Sequence, residues 1–148
     1  MTLEGSCMCG AIAYASDCMS STCRASCEAL CHCVDCQKVP THPIVALPHT
    51  SFSSHIRSLW LRIAAGEPSF YDITGASGKN NRHFFCGKCG SSLYTELDLM
   101  ADKTVIKAGT LDGGEANLRN KVDVEFYTKD RASYLCAVQG AKQEPLLG

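Results

Sequence analysis

Cys86-Gly87-Lys88-Cys89-Gly90 decides how the rest of this 148-residue chain is read. Two thiolates at C-x-x-C spacing can grip one tetrahedral zinc when the chain between them turns tightly, and a glycine after the second cysteine permits the positive φ that such a turn often needs. A redox pair of the thioredoxin kind would open a helix after a strand. Here the strand-like Ser92-Leu93-Tyr94-Thr95 follows instead, which favours metal ligation. Such a pair is half a site. Cys7-Met8-Cys9-Gly10 is its natural complement, a C-x-C with its own trailing glycine, followed by the strand-like Ala11-Ile12-Ala13-Tyr14. Four thiolates around one Zn²⁺ leave no position for another ligand, so this site is expected to be structural and to tie the first strand to a distant hairpin.

The second dense motif is Cys31-His32-Cys33-Val34-Asp35-Cys36, a C-x-C-x-x-C with no cysteine at a matching spacing downstream. Three sulfurs from so short a loop can cap one face of a second zinc and leave the opposite vertex free, and a free vertex marks a catalytic or ligand-binding metal. The alternative is a second closed site, completed by Cys27, His32, His42 or a more distant cysteine. His32 reads as a hydrogen-bonding residue, because its neighbours already occupy the loop. In the stretch from Ser16 to Ala29, Cys23 and Cys27 continue at helical spacing to Cys31, so a short helix or an irregular loop is expected there. Cys18, Cys23 or Cys27 could swing onto the free vertex. Cys136 reads as a small core residue.

Eleven cysteines could form a disulfide scaffold in a secreted chain, but Met1–Ser6 shows no basic region leading into an apolar stretch. The thiols are therefore expected to be reduced and metal-bound in the cytoplasm, and the odd count also argues against full internal pairing. No segment approaches the roughly 20 apolar residues that span a bilayer. Fourteen basic against fifteen acidic residues, net charge -1 and no charge runs, argue against nucleic acid as a partner. The length and 45% hydrophobic content suit one domain over 1–148, with a core of about 3–136 and a loosely held end from Gln139 to Gly148.

Ile44-Val45-Ala46-Leu47, Ser92-Leu93-Tyr94-Thr95, Thr104-Val105-Ile106-Lys107 and Val122 to Tyr127 read as strands, and no long amphipathic helix is visible. The fold is expected to be mainly β, antiparallel, with few short helices. Gly75 to Asn81 and Asp112-Gly113-Gly114-Glu115 read as turns, with Asn80-Asn81 as a hairpin tip. Acid–base candidates are His32, His42, His83 and Glu125. Lys38 and Arg82 could attract a carboxylate, although ordinary surface cations are the commoner case.

With these pieces in hand, the chain resembles the glutathione-dependent formaldehyde-activating enzymes and centromere protein V, which share a small β-tent zinc domain. The matching stretches are Gly5 to Tyr14, Cys31 to Lys38, Arg82 to Tyr94, Ala108-Gly109-Thr110-Leu111-Asp112 and Lys129 to Leu135. The resemblance implies Cys7, Cys9, Cys86 and Cys89 as structural zinc ligands and Cys31, Cys33 and Cys36 as ligands of the second, reactive zinc, which makes two zinc ions per chain. It departs from the family at Val39-Pro40-Thr41-His42-Pro43, at Glu125, where many members carry histidine, and at Tyr134, where many carry tryptophan.

A zinc held by three thiolates is a weak Lewis acid but can hold an incoming thiolate, which remains nucleophilic towards a carbonyl carbon. The function expected is thus that of a carbon–sulfur lyase, S-(hydroxymethyl)glutathione synthase-like, acting on an aldehyde adduct of glutathione or another thiol. The alternative is a non-catalytic, zinc-stabilised binding or structural module.

Overall fold

The structure, a computed structural model, describes residues 3–16, 27–39, 44–48, 61–101, 103–113 and 122–147. His42, Cys18 and Cys23 lie outside them. The described elements are β1 (Leu3–Ser6), β2 (Ala13–Ser16), β3 (Cys27–Cys31), α1 (Val34–Lys38), β4 (Ile44–Pro48), β5 (Leu61–Ala65), β6 (Ser69–Thr74), β7 (Asn80–Phe85), β8 (Ser92–Leu97), β9 (Lys103–Lys107), β10 (Val124–Phe126) and β11 (Lys142–Glu144). They form a three-stranded sheet, β1-β2-β5, and an eight-stranded sheet, β11-β10-β3-β4-β9-β8-β7-β6. Every pairing is antiparallel except β3 with β10 and β10 with β11, so the mainly β, largely antiparallel expectation holds. Among the described residues, no helix is long and apolar enough to cross a membrane.

Alternation along β7, β8 and β9 gives the large sheet two different faces. Phe84, Tyr94 and Ile106 stand in one cross-strand row, and His83, Thr95 and Val105 stand in the next. The first row packs with Tyr14 and Leu61 of the small sheet to form the main core. Within it Phe84 stacks on Tyr94 at 4.4 Å between centroids, and Tyr14 meets Tyr94 edge-on at 6.4 Å. The register shifts between Phe84 and Phe85, so Leu93 is an extra residue on β8. The bulge turns Leu93 into the same core, where it is fully buried. The second row faces a cavity.

Tyr14 fastens the two sheets chemically as well. Thr110 Oγ1 donates to the Lys107 carbonyl at 2.8 Å, so at 2.7 Å it accepts from the Tyr14 hydroxyl. Burial pushes that phenol up to about 12, which keeps it a donor. Gly5 makes room for it, because a Cβ there would stand 2.3 Å from the Tyr14 ring and hydroxyl.

Several expectations need correction. Cys27 and Cys31 lie on a strand, because β3 is the inner rung between β4 and β10, and ladder pairing overrides their helical spacing. Nothing in Ser16 or Cys27–Ala29 is helical. Asn80 and Asn81 pair with Thr74 and Ile73 rather than forming a tip. The turn is Gly75–Lys79, closed by Gly75 N–H to Lys79 O at 2.9 Å, with Gly78 supplying the positive φ. The end of the chain is not loose: Lys142–Glu144 adds a parallel strand to β10, and Leu147 packs against a cluster of Cys31, Cys36 and Tyr127. Cys136 is exposed rather than in the core, since Arg131–Ala141 forms a loop of turns outside both buried apolar clusters.

Candidate functional site

Cys7, Cys9, Cys86 and Cys89 come together from two turns built alike. In each, the trailing glycine donates its N–H back to the carbonyl of the first cysteine, Gly10 to Cys7 at 2.9 Å and Gly90 to Cys86 at 2.8 Å. Both glycines have positive φ, 72° and 76°. The first cysteine of each turn also donates its own N–H across it, Cys7 to Ile12 O and Cys86 to Ser91 O, both at 2.9 Å. Each turn therefore aims two sulfurs one way without help from elsewhere. Met8 N–H donates to Ser91 Oγ at 3.0 Å and joins them.

The four sulfurs lie within 4.8 Å of one another, with Cys7 to Cys9 at 3.5 Å and Cys9 to Cys86 at 3.8 Å. Sulfurs of a tetrahedral zinc stand about 3.8 Å apart, so the set fits a divalent thiophilic ion. The Ser91 hydroxyl and backbone N–H draw the Cys89 thiol down to about 5, which readies it as a ligand. Cys7 and Cys86 are buried.

The three-sulfur cluster is assembled differently. Cys31 ends β3, Cys33 caps α1, and Cys36 is the buried residue of that helix. Their sulfurs also lie within 4.8 Å of one another. Hydrogen bonds from the Cys31 and Cys36 thiols draw Cys33 well below the thiol range, while bonding to Cys33, with burial added, pushes Cys31 up. Three sulfurs gathered around one negative charge suit a cation. No fourth His, Cys, Asp or Glu joins them among the described residues.

The loop that presents these sulfurs is held from behind. His32, 4% exposed, donates from Nε2 to Glu125 Oε1 at 3.0 Å. Its own N–H goes to Phe126 O at 2.9 Å. Glu125 is 1% exposed and accepts three more bonds at Oε2: from Gln143 at 2.6 Å, the Val138 N–H at 2.9 Å and Arg131 at 3.1 Å. Arg131 also donates to Gln143. Burial pushes the Glu125 carboxyl up, but the Gln143 and His32 bonds, with Val138 and Arg131, outweigh it and hold the carboxyl below its usual range. With both oxygens engaged, Glu125 braces the loop through His32. Gln37 completes this bracket, donating to the carbonyls of His32 and Asp130 at 2.7 and 3.0 Å.

Two cavities adjoin the segment that carries the cluster, both lined by Asp35. One, about 380 Å³, is lined by all three sulfurs, by the second row of the sheet and by Tyr127 and Leu147. The other, about 740 Å³, opens past Lys38, Tyr71 and Ser91. Tyr127 enters with a left-handed backbone, φ 55°, which swings its ring onto the sulfurs as β10 ends. His83 faces both cavities, with Nδ1 3.1 Å from the Thr95 hydroxyl and Nε2 buried without a partner. Burial, then the Lys107 charge, holds the His83 ring below the imidazole range. Lys107 is 2% exposed and also faces both. Burial lowers its ammonium, opposed by the nearby sulfurs.

The structure thus gathers each predicted set of sulfurs, keeps the two sets separate, and places His83 beside the second. Arg82 is committed elsewhere, since Asp72 takes its Nε and Nη2 at 2.7 Å each. Lys107, Tyr127 and Leu147 escaped the sequence reading. Lys107 carried one legible signal, a place two residues beyond Val105 on an apolar strand, the same face of the sheet.

Residues 2–130 match the model of the family described as glutathione-dependent formaldehyde-activating enzyme. A crystal structure of a Rhodobacter sphaeroides protein is similar over 80% of this chain and 96% of its own, at a TM-score of 0.58 and 17% identity, a likeness of fold. No curated protein matches the chain.

Proposed function

Because the chain belongs to the glutathione-dependent formaldehyde-activating enzyme family, we propose that it is a zinc-dependent carbon–sulfur lyase that makes and breaks the adduct between an aldehyde and a thiol of the glutathione kind. The observation that carries this is the three-sulfur cluster opening into a cavity with no fourth protein ligand among the described residues. Cys7, Cys9, Cys86 and Cys89 would hold a closed structural zinc, and Cys31, Cys33 and Cys36 the second. When bound there, a thiolate-rich zinc supplies a site where an incoming thiol is kept as a nucleophilic thiolate at neutral pH.

The rest falls to the chain. The Glu125–His32 bracket fixes the loop, so that the three sulfurs keep one face towards the cavity. Tyr127 and Leu147 line the cavity and exclude water from the reacting carbon. The smaller cavity admits a small aldehyde, and the larger cleft leaves room for the thiol's peptide-like body, with Lys38 at its rim. In the forward direction the sulfur forms the C–S bond, the carbonyl π pair moves to oxygen, and the proton lost by the thiol is regained there. The reverse runs the same bonds backwards.

The test is exchange spectroscopy on formaldehyde and glutathione with the two-zinc protein. Acceleration of adduct exchange is expected, and Cys33→Ala should abolish it while the first zinc stays bound. No acceleration by the wild-type protein, together with a cobalt-substituted second site whose spectrum ignores millimolar thiol, would leave the non-catalytic module in its place.

A further inference from the structure

The two cavities meet at Asp35, His83 and Lys107, the residues that line both. Of these, Lys107 is the unusual one. It is almost completely withdrawn from water, yet its ammonium makes no hydrogen bond or ion pair with another described residue. Its electrostatic neighbours are the sulfurs of Cys36, Cys31 and Cys33, whose negative charge offsets part of the cost of burying an ammonium. His83 Nε2 is buried without a partner. Thr95 fixes that ring through Nδ1, so Nε2 is the nitrogen left for a ligand. An unpartnered ring nitrogen and a buried ammonium beside a sulfur cluster call for an oxygen atom.

We propose that Lys107 Nζ and His83 Nε2 form the oxygen subsite of the reaction proposed above, on which this assignment rests, and hold the carbonyl oxygen of the aldehyde while sulfur attacks its carbon. As the C–S bond forms, the π pair of the carbonyl becomes a lone pair on oxygen, and the buried ammonium meets that charge where it develops. A proton from solvent, equal to the one the thiol released, completes the hydroxyl. Collapse of the adduct reverses each transfer. The Tyr14–Thr110–Lys107 chain of hydrogen bonds sets the height of the lysine, because it pins the carbonyl of that residue to the main core.

Two measurements test the subsite on zinc-loaded protein. In adduct exchange, Lys107→Met should lose about 100-fold in turnover with the apparent affinity for glutathione changed by no more than about threefold, and Lys107→Arg should recover part of the loss. Both variants should keep two metals per chain. Independently of turnover, formate titrated into wild type should shift the ring NMR signals of His83, and in Lys107→Met it should not. Wild-type turnover in a two-metal Lys107→Met protein would overturn the assignment. So would a His83 signal indifferent to formate in wild type, or equally responsive in Lys107→Met. If wild type shows no adduct exchange, the proposed function falls, and the formate titration alone judges the subsite. If Lys107→Met does not fold, Lys107→Arg and the wild-type titration decide.

Discussion

At the four-sulfur cluster each pair of cysteines is aimed by a turn that closes on itself, whereas the three-sulfur cluster depends on β3, α1, β10 and the last few residues of the chain. The first needs a handful of backbone bonds and two glycines at positive φ. The second needs a carboxylate that accepts four bonds, one of them from Gln143 near the end of the sequence. A self-sufficient turn suits a structural site, which must stay closed. A borrowed frame suits a site that must hold its sulfurs steady and still leave one side open.

That contrast is open to being broken, most forcefully at the sulfurs. Cys86→Ser should abolish cooperative folding, since structural zinc in small sites contributes about 10–16 kcal/mol, as much as or more than the whole stability of a typical domain. Cys33→Ala should leave a cooperative urea transition and one bound metal. If both variants unfold alike, or neither does, the division of roles between the clusters is wrong.

A middle-sized effect is expected at the bracket. Glu125→Ala leaves His32, Arg131, Gln143 and the Val138 N–H without their shared acceptor, and should cost on the order of 3 kcal/mol in chemical denaturation. It should also speed loss of the second metal to a chelator while the first is retained. Equal effects on both metals would show the bracket serving the whole fold rather than the three-sulfur loop.

The smallest effect belongs to Asp72 and Arg82, an ion pair about as exposed as it is buried on the β6–β7 hairpin. Arg82 holds the Asp72 carboxyl down to about 2, below its unfolded value of about 3.9. The pair therefore adds stability above about pH 4 and loses it as pH falls towards 2. In Asp72→Asn the thermal midpoint should fall only slightly at neutral pH, less still in high salt, and its slope between pH 4 and 2 should flatten. An unchanged slope would mean that the carboxyl is not held by Arg82.

Legibility follows the same divide. Cys7-Met8-Cys9-Gly10 and Cys86-Gly87-Lys88-Cys89-Gly90 could be read directly, because each motif encodes its own turn. The strands at Ile44, Ser92 and Lys103 were visible from short apolar runs. Cys27 misled because helical spacing between cysteines says nothing about which ladder a segment will join. Lys142-Gln143-Glu144 carries no apolar pattern at all, and it is a strand because β10 offers a free edge and Glu125 takes the Gln143 amide.

What the sequence determined by itself was local: which cysteines pair within a turn, where glycine must take a positive φ, and that short strands dominate. Tertiary structure decided which face of β9 meets the cavity, and with it that Lys107 is buried beside the sulfurs, that Glu125 and His32 meet, and that the chain's end returns to Tyr127. Turn geometry is set by neighbouring dihedrals, which a few residues specify. Burial of a polar side chain depends on what covers it, and in this protein the cover comes from strands far away in the chain.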